Sequence, residues 1–542
     1  MSRIAASSWI WAGRILALVG LAAAACSRHD ETRTGANTAG LAPRRGGTVT
    51  VGYPSEPKNL IPYGTASLNA SDALGFVFMM LANTDSTLMG YEPALARAWE
   101  WSADHLDLTM HLRDDVQWSD GVPVTAADVA FTFDVQRDSV VNWSTRSWKL
   151  KIAGCDVVDA HTVRFHFKTR FPDQFRYAKE GYILPQHLYE SVPRDQWEST
   201  DRARNPVGCG PFRLERWDAG QRLVFVRNEH YMDKVRPYVD RVVLQIIPDA
   251  STRLAQLHAG QIDFLADMPW RDAAAVRDAR SKDLRLWSGP GRAYEYVGYN
   301  ERDSLFASRA VREALTRGID RESIIRGLCH GFAEPFESPM TPILWAYDRT
   351  LPLTPYDPEG AARLLAAAGW RDTDGDGWLD RNGKKFEFAL LLDATSESRR
   401  AAAVPIQANW KAIGVKANLD VRETEAARAA RGLGQFQATI AGWGATITAN
   451  LGPVWGCRQK LNYYGYCNSR VDSLNAAAIL LEPAAARPLW QAAQRAVTRD
   501  YPYTWLYYKH DVVGMRNRLQ GVHLDARGAY ESLEEWWVTD AK

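Results

Sequence analysis

No stretch of this 542-residue chain is long and apolar enough to span a bilayer as a helix. Charge leans neither way: Lys+Arg 65 stand against Asp+Glu 64, a net of +1. That balance leaves no bulk attraction for nucleic acid or an anionic membrane. No run of Arg and Lys alternates with aromatics as a nucleic-acid groove requires. Three catalytic signatures are missing as well: H-E-x-x-H, G-x-S-x-G and the phosphate loop G-x-x-x-x-G-K-[ST]. The 11 His are scattered. His161 and His166 in "HTVRFHF" are five apart, so on a strand they face opposite sides and cannot share a metal. Gly208-Cys209-Gly210 lacks the spacing of a dinucleotide loop. The 64 acids make many carboxylate pairs, yet none has a setting that marks a general acid and base. Nothing in the chain requires an enzyme.

What the chain does have is a folded composition, 46% hydrophobic and 24% charged, with enough length for roughly three or four domain-sized units. Trp is abundant at 21 copies, and Trp and Tyr make stacking walls for polar ligands as well as core. The first 25 residues read as a secretory signal: Arg3 and Arg14 flank a polar start, and "ILALVGLAAAA" follows. A Cys directly after that run, Cys26, resembles the bacterial lipoprotein cleavage site, at which the Cys carries lipid; the usual Leu three residues earlier is Ala23. The alternative is a plain signal peptide. Residues 26–45 are polar and without apolar period, a tether. Six cysteines fit an oxidising compartment. Cys457 and Cys467, ten apart, are the best disulfide, and Cys155, Cys209 and Cys329 leave at least one free thiol.

Strand and helix patterns alternate along the rest. "HLDLTMHLRDDVQW" places Leu106, Leu108, Met110 and Leu112 on one face of a strand. A helix capped by Thr125, with Asp128 in its first turn, follows the Asp120-Gly121 turn. Near residue 290 the pattern restarts with the strand "YEYVGYN" and an amphipathic helix buried through Val311, Ala314 and Leu315. "DPEGAARLLAAAGW" is a helix with Asp357 as N-cap, Pro358 in the first turn and Gly369 as stop. Mixed order on both sides of 290 implies two α/β lobes with room for a ligand cleft between them.

Four segments in order then resemble the extracytoplasmic solute-binding proteins of peptide-type ABC importers, family 5. They are "GGTVTVGYPSEPKNLIP", "LRDDVQWSDGVPVTAADVAFTFD", "NPVGCGPFRLERWDAGQRLVFVRNEHYM" and "YVGYNERDSLFASRAVREALTRGIDRESIIRGLCHG". The resemblance implies an α/β periplasmic-binding-protein fold of two lobes, class II-like with an enlarged first lobe, closing on ligand by a hinge motion. It implies lobe I over 46–290 with an inserted subdomain at about 86–204, lobe II over 291–504, and a return to lobe I over 505–542. It also implies a monomer outside the cytoplasmic membrane, in the periplasm and held by lipid, that hands peptides or peptide-like solutes to a permease and ATPase. It implies no catalysis and no nucleic-acid partner.

Dipeptide-type members of that family use a Trp-x-x-Asp stretch to pair with the ligand's α-ammonium. The matching stretch here is "AGWGATITAN", with Trp443 kept and Thr446 in place of the acid. A buried ammonium without its counter-charge costs several kcal/mol. The turn that carries their carboxylate-binding Arg matches "LLDATSE", which offers Asp393 and no Arg before Arg399. Trp443, Thr446, Asp393 and, at the lobe junction, Tyr299 and Asn300 are therefore the candidate ligand-binding residues. The altered anchors keep open a ligand without a free α-amine, or a non-peptide solute such as a metal chelate or oligosaccharide. A secreted hydrolase on the same scaffold is the reading from another class. No cofactor is expected. "RDTDGDGWLD" sets Asp372, Asp374, Asp376 and Asp380 at calcium-loop positions, but Gly383 stands where the completing Glu belongs. A surface turn is the preferred reading and a weak calcium site the lesser one.

Overall fold

The computed structural model describes residues 42–63, 68–444 and 449–540; Cys26 and Thr446 lie outside them. One large sheet runs through the molecule. Its strands are β1 (Thr48–Tyr53), β2 (Phe212–Asp218), β3 (Arg222–Arg227), β4 (Arg241–Ile246), β5 (Phe264–Leu265), β6 (Leu284–Tyr299), β7 (Glu387–Asp393), β8 (Lys416–Arg422), β9 (Ala438–Gly444) and β10 (Tyr503–Arg516). Their spatial order is β8-β7-β9-β6-β10-β5-β1-β4-β3-β2, with the short strand Ala333–Glu334 added to β10. The sheet is mixed: β1 is parallel to β4 and β5, β7 is parallel to β8 and β9, and the pairs of β6 with β9 and with β10 are antiparallel.

That order is consistent with a first lobe around β1 to β5 and a second around β7 to β9, with β6 and β10 running between them. Sequence periodicity begins a strand at Tyr294, but β6 starts ten residues earlier at Leu284. Gly289, Pro290 and Gly291 hide it, because Pro donates no ladder hydrogen bond and Gly carries no side chain to alternate. The ladder slips there: Pro290 pairs with His510, and regular pairing resumes at Tyr294 opposite Tyr508.

Each lobe has its own packed core. In the first, Val49, Val51, Phe225, Val242, Leu244 and Phe264 are fully buried, and the C-terminal Trp536 packs 4.6 Å from Phe264, ring to ring. Burying a side chain of that size contributes about 1.5–3 kcal/mol. The second lobe is covered on one face by helices Arg309–Arg317, Pro358–Ala367 and Glu397–Ala412, with Phe388, Leu390, Ile406 and Trp410 between them. On its other face lies an aromatic cluster in which Tyr296 stacks on Tyr503 at 3.9 Å, beside Tyr464 and Trp455. A disulfide joins Cys457 to Cys467, next to Tyr464 and Tyr466 of that cluster.

A separate four-stranded antiparallel sheet is inserted between the helix Leu68–Val77 and β2. Its strand order is Ala96–Trp101, Asp107–Leu112, Thr162–Phe167, Ile152–Asp159. Leu108, Met110 and Leu112 point to its buried face, as their alternation requires. The helix Ala126–Arg137 covers that face; the Thr125 N–H donates to Asp128 Oδ2 at 2.8 Å, closing the cap. No helix among the described residues is long and apolar enough to cross a membrane.

Candidate ligand cleft

Glu295 sits on β6 between Tyr294 and Tyr296, 4% exposed, directly across from Gly442 of β9. A carboxylate so placed needs a partner, since an unpaired buried charge is strongly unfavourable. Arg399, from the first turn of helix Glu397–Ala412, supplies it. Its Nε donates to Glu295 Oε2 at 2.8 Å and its Nη2 to Oε1 at 3.3 Å. The pair lies flat on Gly442, where an added Cβ would stand 2.7 Å from Arg399 Nη2 and 2.9 Å from both Glu295 oxygens. Burial works against the Arg399 charge, but the Glu295 carboxylate outweighs it and holds the guanidinium above its ordinary value.

Two further groups border this pair. Lys509 of β10 brings its Nζ to 4.0 Å from Glu295 and 5.5 Å from the centre of the Trp270 ring. Asp393, at the C-terminal end of β7, lies 4.0 Å from Arg399 Nη1. Its Oδ1 accepts from the Thr395 N–H at 3.0 Å and from the Thr395 and Thr424 hydroxyls at 2.9 and 2.8 Å. Burial raises the Asp393 carboxyl, and these hydrogen bonds more than offset it, so the net shift is downward. Trp443 is half-buried on the opposite face of β9, where its Nε1 donates to Tyr503 Oη at 3.2 Å and its ring stacks on Tyr463.

Tyr299 and Asn300 are packing groups at the strand end. Tyr299 is fully buried and shares a hydrogen bond with Thr504 Oγ1 at 2.7 Å. Asn300 donates from Nδ2 to the carbonyls of Gly434 and Phe436, which ties the strand end to the chain entering β9. Both make these hydrogen bonds within the fold.

On the first-lobe side the electrostatics reverse. Asp72, on helix Leu68–Val77, accepts from Tyr53 Oη at 3.2 Å. Burial pushes its carboxyl up to about 6 despite that hydrogen bond, with Asp267 and Glu531 adding to the rise and Arg292 opposing it. Burial likewise raises Asp511 and Glu531, with Arg292 opposing in both cases. Arg292, Asp267, Asp511 and Glu531 are all open to solvent.

The aspartate turn is elsewhere. It precedes β7, whereas Asp393 ends that strand about 20 Å further on at the usual rise per residue. One oxygen each of Asp372, Asp374 and Asp376 lies within 4.8 Å of the others. Lys385 Nζ is the cation there, donating to Asp374 at 2.6 Å and lying 2.9 Å from Asp376. Asp380 is turned inward, where both its oxygens accept from Thr373. The free thiols are buried or half-buried; burial pushes Cys155, Cys209 and Cys329 each up to about 12, far from a reactive thiolate.

Sequence patterns do not single out Glu295, Lys509 and Asp72, and Arg399 appears in them only as the first Arg after the Asp393 turn. One signal was available: an acid between two tyrosines at an inward position of "YEYVGYN" is out of place unless it has a partner.

Residues 90–464 match the family described as bacterial extracellular solute-binding proteins, family 5, middle. The oligopeptide-binding protein AppA of Bacillus subtilis (strain 168) is 29% identical over 535 residues, 97% of each chain. Its solved structure, in complex with a nonapeptide, superposes with a TM-score of 0.75 and covers 92% of this chain and 100% of that one. Heme-binding protein A of Haemophilus influenzae is also 29% identical, over 84% of each chain. NikZ of Campylobacter jejuni, solved with Ni(L-His), shares the fold at 23% identity, with a TM-score of 0.74 and coverage of 90% and 99%.

The raised Asp72 carboxyl makes stability depend on pH. Its folded value of about 6 lies above its ordinary 3.8, so the folded state holds this proton more tightly. The resulting stability is fully present below about pH 4 and is lost as pH rises through about 6. Asp72→Asn removes this dependence, so the variant gains on the parent chain between about pH 4 and pH 7 in urea-unfolding midpoints. Parallel curves for the two proteins would contradict it.

Proposed function

Because the chain belongs to the bacterial extracellular solute-binding proteins of family 5, which are non-enzymatic components of ABC importers, we propose that its solute is a peptide or peptide-like molecule. In this reading the chain is a lipid-anchored monomer in the periplasm. It captures its solute between two lobes that hinge near residue 290 and delivers it to the permease and ATPase of its importer. The observation that carries the peptide reading is the relation to AppA along 97% of both chains, together with the nonapeptide in that protein's structure. Thr446 in place of the family's amine-binding acid favours a longer peptide, or one whose amino group is met elsewhere. Trp443 is the proposed ligand wall, and Asp393 and Arg399 border the same strand ends.

A second reading, capture of a metal chelate or heme-like solute, is supported by the equal identity to heme-binding protein A. For the aspartate turn the proposed role is structural, supported by the ion pairs of Lys385 with Asp374 and Asp376.

Two experiments test these proposals. Closed binding proteins retain ligand because binding stabilises the closed form. Mass spectrometry of whatever is released on denaturing the purified chain is expected to show a ladder of mixed peptides, and a single non-peptide solute would overturn the peptide reading. For the anchor, Cys26→Ser is expected to move the protein from the membrane to the soluble fraction. Retention of the variant in the membrane fraction would refute lipidation at that residue.

A further inference from the structure

The inserted four-stranded unit and the second lobe meet at a point outside the shared strands. Arg170, just after the strand Thr162–Phe167, places Nη2 3.4 Å from Glu482 Oε1, across 312 positions of sequence. Glu482 is the N-cap residue of helix Pro483–Asp500, at the tip of the hairpin this helix makes with Ser469–Ala478. Neither residue belongs to β6 or β10, the strands that join the lobes. Both side chains remain largely in water, at 57% and 66% exposure. Ile479, Leu480 and Leu481 just before Glu482 are also exposed, so the contact is a touch between two surfaces and not a packed interface.

We propose that Arg170 and Glu482 form a closure clasp, an ion pair made when the lobes close over the cleft and broken when they open. When two bodies rotate about a shared strand pair, a charge contact away from that pair exists over only part of the rotation. The clasp gives the inserted unit a role in retaining solute, since it touches the second lobe without belonging to the hinge. Because the pair is exposed it is weak and screened by salt, so it trims the open population without locking the protein shut. The inference rests on the proposed closure of the two lobes.

Small-angle X-ray scattering of the full chain tests it without labels. Arg170→Glu and Glu482→Arg are each expected to raise the radius of gyration, corresponding to an open-to-closed ratio higher by about two- to fivefold. The double reversal, which restores the pair with charges exchanged, is expected to return the parent value. Raising the salt to about 1 M should expand the parent chain and, by screening the like-charge repulsion, contract the single variants, so that the two converge. Thermal midpoints of the variants control for folding. If the single reversals scatter like the parent while stripping the bound solute still expands it, the clasp is wrong and closure stands. If stripping leaves the parent's scattering unchanged as well, closure itself is wrong.

Discussion

Everything else in the molecule depends on the antiparallel pairing of β6 with β10. These are the two strands that both lobes share, and their ends are held differently. At the second-lobe end, Tyr296, Tyr503, Tyr464 and Trp455 clamp the pair in a buried aromatic cluster. At the first-lobe end, Val513 and Met515 of β10 pack into the core with Phe264. Between these anchors, at Pro290 to Tyr294, regular pairing lapses. Gly291 leaves little room at that point: a Cβ there would stand 2.5 Å from Asp511 Oδ1 and 3.0 Å from the Lys509 carbonyl. The Tyr508 hydroxyl donates to the Gly291 carbonyl, so the irregular segment is held by a side chain where the ladder leaves it. Two firm ends around a break in the ladder are a physical basis for hinging, because rotation there disturbs few backbone hydrogen bonds.

The same strands organise the charges. Glu295 on β6 and Lys509 on β10 stand at the second-lobe side of the break, and with Arg399 and Asp393 they form a set of two acids and two bases. Arg292 and Asp511 stand at the break itself and on its first-lobe side, facing Asp72, Asp267 and Glu531, an excess of acid. The two charge sets therefore differ: one is internally neutralised, and the other carries carboxylates that burial and mutual repulsion push toward protonation.

Much of this architecture was legible in the sequence, and the reason is local. The helix Pro358–Ala367 begins where Asp357 and Pro358 predict it, with Asp357 Oδ1 accepting from the Gly360 N–H at 2.7 Å. The alternation through Leu112 and the Thr125 cap are likewise interactions over a few residues, which a sequence displays directly. The cleft is different. Glu295 and Arg399 are 104 positions apart, and what joins them is the cross-strand register that sets Gly442 opposite Glu295. No local pattern encodes that register. Tyr299 and Asn300 stand near the junction, where a strand end must also bury its aromatic and satisfy its backbone neighbours, and their hydrogen bonds to Thr504 and to the Phe436 carbonyl meet that demand. The aspartate turn shows the same limit, since Lys385, which pairs with Asp374 and Asp376, comes from beyond the spaced acids.

The central claim is that two lobes close on a solute about the β6–β10 pair, and calorimetry on the solute-stripped chain tests it most directly. Titration with a synthetic pool of nonapeptides is expected to give saturable heat at one site per chain and a negative heat-capacity change, as apolar surface leaves water when the lobes meet. Absence of heat with the pool, or saturable binding with no heat-capacity change, would contradict the account.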